Sequence, residues 1–307
     1  MGCPVRRMVA LLAVAAAGLT LAGCGGSTAG AATPSSAVPV VASTDVWGDV
    51  VAAVGGLKVR VTSVIDNPSM DPHTFEATAR TQLAVSRARL VVENGGGYDD
   101  FMGRLLDVAG SKATVIDAVT VSGKAAAAHA AGTELNEHVW YDLPSVGRVA
   151  DRIAAALADA DPPNAASFRA NAAAFRAELD GLTARAQADR ARTAGAAVLV
   201  TEPLPGYLLE ALGAVDRTPA ALSHAVENGD DVSPAVLRRT TELLSAHAVT
   251  ALIYNAQTAD PQTAVLRRAA AAAHVAVVPV TETLPPGTDY LSWMRDNLDR
   301  ISTALAS

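Results

Sequence analysis

Short apolar runs rich in β-branched residues alternate along the chain with longer, alanine-rich amphipathic segments. This alternation is typical of α/β proteins, in which mainly parallel strands are covered by helices. The predicted strands lie at 39–43, 59–65, 90–95 and 113–117 in the first half, and at 197–202, 251–255 and 275–280 in the second. The predicted second-half helices lie near 206–213, 233–247, 261–273 and 288–305.

The segment 162–195 consists almost entirely of helix-forming residues, with an apolar position every three or four residues. Its apolar stripe contains Phe168, Phe175, Leu179 and Leu182. We expect one helix of about 30 residues, roughly 45 Å long; the alternative is a pair of helices broken at Gly181. One long helix would join two lobes, 39–161 and 196–307, stiffly, so wide hinge closure is not expected.

The amino-terminal segment is typical of an export signal. Arg6 and Arg7 precede an apolar run over 8–20, which is too short to span a bilayer. The following Leu-Ala-Gly-Cys resembles a bacterial lipobox, so we expect a signal peptide over 1–23 and a lipidated Cys24; the alternative is an ordinary signal peptide with an incidental cysteine. A flexible tether over 24–38 would then hold the domain at the extracytoplasmic face of the cell membrane.

Composition excludes several kinds of protein. The chain has 31 acidic and 24 basic residues, a net charge of −7, and its arginines are dispersed, which argues against nucleic-acid binding. Both cysteines lie within the first 24 residues. The folded part can therefore form neither a disulfide nor a thiolate metal site.

Two of the six histidines lie in similar polar and aromatic surroundings. His73, in "NPSMDPHTFEATART", follows the strand at 59–65, and His138, in "NEHVWYD", follows the fourth strand and a glycine- and alanine-rich loop. In the second half, Glu202 ends one predicted strand and Glu282 follows another. Because open α/β sheets bind ligands beyond the carboxyl ends of their strands, these four residues are candidates for one shared metal site.

Several motifs together resemble the substrate-binding lipoproteins of bacterial ABC-type zinc and manganese importers. They are "DVWGDVVAAVGG", "DPHTFEAT", "VVENGGGYDDFM", "NEHVWYD", "TEPLPGYLLEALG" and "DYLSWMRDNLDRI", in order and with similar spacing over essentially the whole mature chain. The resemblance implies two α/β lobes bridged by one long helix, with one divalent ion, Zn²⁺ or Mn²⁺, carried between them as cargo. It also implies delivery to a membrane permease with its ATPase, and we expect a monomer.

The same resemblance implies which residues bind the ion. His73 matches the histidine of the D-P-H motif, His138 the histidine before V-W, and Glu202 the histidine or glutamate after the first strand of the second lobe. The fourth ligand of the family is usually an aspartate, and Glu282 occupies its place here. Because glutamate is one methylene longer, Asp289 is kept as an alternative fourth ligand.

The donor set does not decide between the two metals. Imidazole nitrogen suits zinc, whereas carboxylate oxygen suits manganese and harder cations. In the zinc-specific branch the loop before His138 is often crowded with histidines, but here it contains only His129.

The competing hypothesis is an exported metal-dependent hydrolase; however, the sequence has neither the H-E-x-x-H nor the G-x-S-x-G signature. Four protein ligands would also leave no open position for a catalytic water, so we expect a carrier and not an enzyme. An adhesin would need a module that the sequence lacks.

Overall fold

Each half of the chain forms a four-stranded parallel sheet covered by helices. The computed structural model describes residues 37–67, 70, 75, 77–258 and 260–307. His73 and Cys24, two of the predicted site residues, lie outside this described part of the chain. The predicted α/β class with two lobes is confirmed.

The first lobe has the strand order β2-β1-β3-β4. Its strands are β1 (Val38–Thr44), β2 (Val59–Ile65), β3 (Leu90–Glu93) and β4 (Thr114–Asp117). Its helices are α1 (Asp45–Gly55), α2 (Ala79–Arg87), α3 (Phe101–Ala109), α4 (Ala118–Ser122), α5 (Lys124–Ala131) and α6 (Leu143–Ala160). Short 3-10 turns lie at Gly56–Lys58 and Val139–Tyr141, the second directly after His138.

The second lobe repeats this topology with the strand order β6-β5-β7-β8. Its strands are β5 (Ala197–Val200), β6 (Val215–Asp216), β7 (Ala251–Asn255) and β8 (Ala276–Val280). Its helices are α8 (Gly206–Leu212), α9 (Ala220–Glu227), α10 (Pro234–Ser245), α11 (Pro261–Ala272) and α12 (Tyr290–Leu305). The strand order reverses between β5 and β7, and this is the position at which open α/β sheets bind ligands.

The two lobes are joined by one continuous helix, α7 (Ala165–Thr193), after a 3-10 turn at Pro162–Asn164. It packs against α1, α6, α8 and α12. The four predicted stripe residues Phe168, Phe175, Leu179 and Leu182 are all buried. Gly181 lies inside the helix without interrupting it, so the single-helix prediction is confirmed and the broken pair is not observed.

Two segments differ from the sequence-based expectation. The region between β4 and His138 was expected to be a loop, but it contains α4 and α5. Helix α5 is an alanine-rich run between Gly123 and Gly132, both at positive φ. In the second lobe, β6 and α9 were not predicted, because the strand has only two residues and the helix only eight.

The lobes share one hydrophobic core. A single cluster of buried residues includes Val40 and Trp47 from the first lobe, Phe168 from α7, and Ile253 and Trp293 from the second lobe. Two smaller clusters lie on the outer faces of the two sheets. Packing of this kind resists large relative movement, since opening the lobes would expose apolar surface to water.

Polar bonds also cross between the lobes. The hydroxyl of Tyr290 donates to the carbonyl of Trp140 at 2.6 Å, and the backbone N–H of Tyr290 donates to Asp49 at 2.9 Å. The backbone N–H of Leu284 donates to Asp45 at 3.2 Å. The lobes are thus held in one arrangement around the space between them.

In the described part of the chain, no helix combines the length and apolarity needed to cross a bilayer.

Candidate metal centre

Glu202 lies just beyond the carboxyl end of β5, at the reversal point of the second sheet. Its side chain is buried, with 4% relative exposure. Oε2 accepts a 2.8 Å hydrogen bond from Nδ2 of Asn255, the last residue of β7. Oε1 is also buried, and it has no hydrogen-bond partner among the described residues. This oxygen is available to a ligand.

Glu282 lies two residues beyond β8 and is 9% exposed. Oε1 accepts a 2.6 Å hydrogen bond from the same Nδ2 of Asn255, and Oε2 accepts a 3.0 Å bond from the hydroxyl of Tyr98 in the first lobe. The backbone N–H of Gln257 donates to Oδ1 of Asn255 at 3.0 Å, which turns Nδ2 toward the two carboxylates. Asn255 therefore brings Glu202 and Glu282 together at one nitrogen.

His138 is almost fully buried, at 1% exposure, and it lies in the first lobe next to the 3-10 turn. Its Nδ1 lies 2.8 Å from Oδ1 of Asn136. The orientation of the Asn136 amide is fixed because its Nδ2 donates to the carbonyl of Pro203 at 2.8 Å. Oδ1 can only accept, so Nδ1 carries the proton, which is the arrangement found in histidines that bind a metal through Nε2.

Aromatic rings surround His138. Trp140 lies edge-on to the imidazole with ring centres 5.1 Å apart, and Tyr98 lies at 6.0 Å. The hydroxyl of Tyr207 donates to the carbonyl of Asn136 at 2.6 Å, and that of Tyr141 donates to the carbonyl of Thr281, the neighbour of Glu282, at 2.8 Å. These side chains restrict the access of water and hold the imidazole in one orientation.

Glu227, the last residue of α9, also lies in this region, although it is not among the residues predicted from the sequence. Its Oε1 lies 3.9 Å from Nε2 of His138, and its side chain is largely buried. Donor atoms of Glu137, His138 and Glu227 lie within 4.8 Å of one another. No periodicity or sequence motif identifies Glu227, since the short helix α9 is not predicted from the sequence. The one sequence feature near Glu227 is the run of acidic and small polar residues that follows it.

The pKa values of two carboxylates in this region, Glu202 and Glu227, are raised above their usual values. Burial, and after it the charge of Glu282, raise the pKa of Glu202 to about 7. Burial, and then the charges of Glu137, Glu202 and Glu282, raise the pKa of Glu227 to about 8. Burial and the carboxylate of Glu282 also raise the pKa of Tyr98 well above its usual value, which keeps its hydroxyl a donor. A divalent cation would take the place of these protons.

The remaining candidates lie in other settings. Asp289 caps α12, where its Oδ1 accepts from the backbone N–H of Ser292 at 2.8 Å, and its side chain is exposed. His129 is exposed on α5. His224 lies on α9, with Nε2 3.2 Å from a carboxylate oxygen of Glu134. The structure thus brings His138, Glu202 and Glu282 into one buried region and gives Asp289 a local capping contact.

Solved structures of other proteins share this two-lobed, helix-bridged fold. The periplasmic zinc binding protein TroA from Treponema pallidum superimposes with a TM-score of 0.72 at 20% identity, covering 88% of this chain and 100% of that one. FpvC from Pseudomonas aeruginosa, solved in complex with Mn²⁺, superimposes with a TM-score of 0.70 at 24% identity, covering 88% and 98% of the two chains. These similarities establish the fold.

Sequence comparison gives the family. Residues 40–304 match the family described as ZnuA, zinc-uptake complex component A, periplasmic, and the chain belongs to it. The manganese-binding lipoprotein MntA of Bacillus subtilis is 29% identical over 175 residues, and the alignment spans 56% of either protein. The manganese ABC transporter substrate-binding lipoprotein scaA of Streptococcus gordonii is 24% identical over 98% of both. This chain is therefore a member of a family of metal-binding ABC substrate-binding proteins.

Proposed function

We propose that this protein binds one divalent transition-metal ion, Zn²⁺ or Mn²⁺, between its lobes and delivers it to an ABC permease and its ATPase. One observation carries the proposal: a buried imidazole, engaged at Nδ1 by Asn136, lies near a region in which two buried carboxylates share one amide donor. Two or more buried carboxylates are costly to ionise together unless a cation accompanies them. This arrangement fits a cation-binding site.

The proposed ligands are His73 and His138 from the first lobe and Glu202 and Glu282 from the second. His73 enters through its D-P-H motif alone, because it lies outside the described residues. Glu282 is preferred to Asp289 as the fourth ligand, since Asp289 is exposed and caps α12. Two nitrogens and two oxygens form a borderline donor set that accepts either ion.

The proposed cellular setting follows from the amino-terminal segment and from the names of relatives. Residues 1–23 would be removed as a signal peptide, Cys24 lipidated, and 24–38 would tether the domain outside the cell membrane. MntA and scaA are both named as lipoproteins. The rest of the chain would divide into a first lobe over 39–161, a linking helix over 162–195 and a second lobe over 196–307. We expect the protein to work as a monomer. The relatives' names describe binding proteins, so no catalytic activity is proposed.

Equilibrium metal titration of the purified protein tests the binding proposal. We expect one Zn²⁺ or Mn²⁺ per chain. We expect binding to weaken by about tenfold to a hundredfold in each of three variants, His138→Ala, Glu202→Gln and Glu282→Gln. His129 is an exposed histidine on α5, so the control variant His129→Ala should bind the ion as the wild type does. Binding at wild-type affinity by all three site variants would refute the site.

Delivery and anchoring need separate tests. A host lacking the gene should require added metal for growth, and the wild-type gene, but not the His138→Ala gene, should restore growth without it. Cys24→Ala should release the protein from the membrane fraction while the released domain still binds its ion. Equal growth with the two genes would contradict the delivery role, and retention of Cys24→Ala at the membrane would contradict the lipid anchor.

A further inference from the structure

Glu227 approaches Nε2 of His138 from the second lobe. Its Oε1 lies 3.9 Å from Nε2, whereas Nδ1 is engaged by Asn136. This separation is too long for a hydrogen bond. Two donors bound to one ion at about 2.0–2.2 Å each are separated by at most about 4.3 Å. The separation therefore suits an ion lying between the two side chains.

Among the described residues, Glu227 has no hydrogen-bond donor at its buried oxygen Oε1. The surrounding charges that act on it most are those of Glu137, Glu202 and Glu282, all of the same sign. A carboxylate oriented toward an imidazole nitrogen and surrounded by other carboxylates is unfavourable alone, and a cation removes the conflict.

Glu227 comes from a different element than the other carboxylates. It ends α9, whereas Glu202 follows β5 and Glu282 follows β8. Glu137 precedes His138 in the chain, and its donor atom lies within 4.8 Å of those of His138 and Glu227. An ion at Nε2 of His138 would therefore contact the second lobe through α9 as well as through the strand ends.

We propose that Glu227 is a further ligand of the cargo ion and that its carboxylate favours Mn²⁺ over Zn²⁺. The inference rests on the proposed function, because it assumes an ion between the lobes. An additional oxygen donor raises the coordination number beyond the tetrahedral geometry that structural zinc sites adopt. Oxygen-rich sites of higher coordination suit manganese and other hard cations.

The test is competitive titration of the whole purified protein with Mn²⁺ and with Zn²⁺, together with the visible absorption spectrum of the Co²⁺-loaded form. Glu227→Gln preserves shape and removes the charge; Glu227→Asp keeps the charge but withdraws the oxygen by one methylene. Glu134→Gln is the matched control. Glu134 is exposed, and it pairs with His224, which lies on α9 as Glu227 does. Thermal unfolding of the ion-free variants verifies that each is folded.

We expect Glu227→Gln to weaken Mn²⁺ binding by at least about tenfold and Zn²⁺ binding by less, and to change the Co²⁺ spectrum toward lower coordination. Glu227→Asp should also weaken Mn²⁺ binding, whereas Glu134→Gln should behave as the wild type. Unchanged affinities and spectrum in Glu227→Gln overturn the proposal, and so does full Mn²⁺ affinity in Glu227→Asp, which would indicate a purely electrostatic role. If the wild type itself binds no ion, the proposed function fails.

Discussion

The hydroxyl of Tyr98, in the first lobe, donates a 3.0 Å hydrogen bond to Oε2 of Glu282, in the second. Both side chains are buried, and 184 positions of sequence separate them. The bond directs one oxygen of Glu282 toward the first lobe, while Asn255 holds the other. The position of this candidate ligand therefore depends on the packing of the two lobes.

Tyr98→Phe should lower ion affinity by about tenfold, because Glu282 loses the donor that orients Oε2. The free energy of unfolding of the ion-free protein should fall by about 1 kcal/mol. Metal titration and chemical denaturation measure the two effects. Tyr254→Phe is the matched control and should bind the ion normally, because the contact of the Tyr254 ring is with the guanidinium of Arg267, which lies over it. Wild-type affinity in Tyr98→Phe would show that this bond does not position the ligand.

Asn255→Ala should remove the donor that Glu202 and Glu282 share. We expect the ion-free protein to lose about 1–3 kcal/mol of stability and ion affinity to fall by about tenfold to a hundredfold. Asn171→Ala is the control, because the Asn171 amide donates a single 3.0 Å bond to the carbonyl of Val54 and touches neither carboxylate. Asn171→Ala should lose stability without losing affinity; a similar affinity loss in both variants would contradict the role given to Asn255.

Glu93 should make the ion-free protein less stable as the pH rises. Burial, and then the charges of Asp99, Asp117 and Asp100, raise the pKa of Glu93 to about 7. Because the folded-state pKa exceeds the unfolded value of about 4.3, the folded protein binds the proton more tightly. The stability that this proton provides is present below pH ~4.3 and is lost as the pH rises toward about 7.

Glu93→Gln should therefore lose less stability than the wild type over this pH range, by a difference on the order of 1 kcal/mol after allowance for solvent screening. Denaturation of both proteins at several pH values, with a chelator present, measures the difference. Asp107→Asn replaces an exposed carboxylate on α3 and should leave the pH profile as it is. Parallel profiles for wild type and Glu93→Gln would count against the raised pKa.

Gly181→Ala should stabilise the protein by about 0.5–1 kcal/mol, because alanine has the higher helix propensity. Gly181 lies inside α7, and a Cβ at that position would meet no atom within 4 Å. Gly213→Ala is the opposing control, since Gly213 has a φ of +71° and a Cβ there would lie 3.1 Å from Arg190. That variant should lose stability. A destabilised Gly181→Ala would mean that α7 needs flexibility at this point.

The sequence predicts most of the fold because its signals are local. Runs such as "VRVTSVI" correspond to strand β2, and the stripe that contains Phe168 and Leu182 defines α7. The two residues of β6 are too few to form a pattern, since they pair only because β5 lies beside them. Helix α5 corresponds to a run of helix-forming residues between two glycines. The glycine and alanine content of this segment favours a loop equally well, so the sequence does not predict the helix.

The site is only partly predictable for a related reason. Glu202 and Glu282 are recognisable from their positions after strands, and His138 from its aromatic neighbours. Glu227 carries no such signal, and Tyr98 is marked only as part of the motif "VVENGGGYDDFM", because the relation of both residues to the site depends on contacts between the lobes. Asn255 ends a predicted strand, yet its role becomes visible only when β5 and β8 lie on either side of β7.

Diffraction from crystals of the ion-loaded protein, with anomalous scattering recorded at the absorption edge of the metal, would locate the ion and its ligands. We expect a single anomalous peak between the lobes, with Nε2 of His138 and oxygens of Glu202 and Glu282 about 2.0–2.2 Å from the ion. A peak bound elsewhere on the chain, with these three side chains uncoordinated, would contradict it.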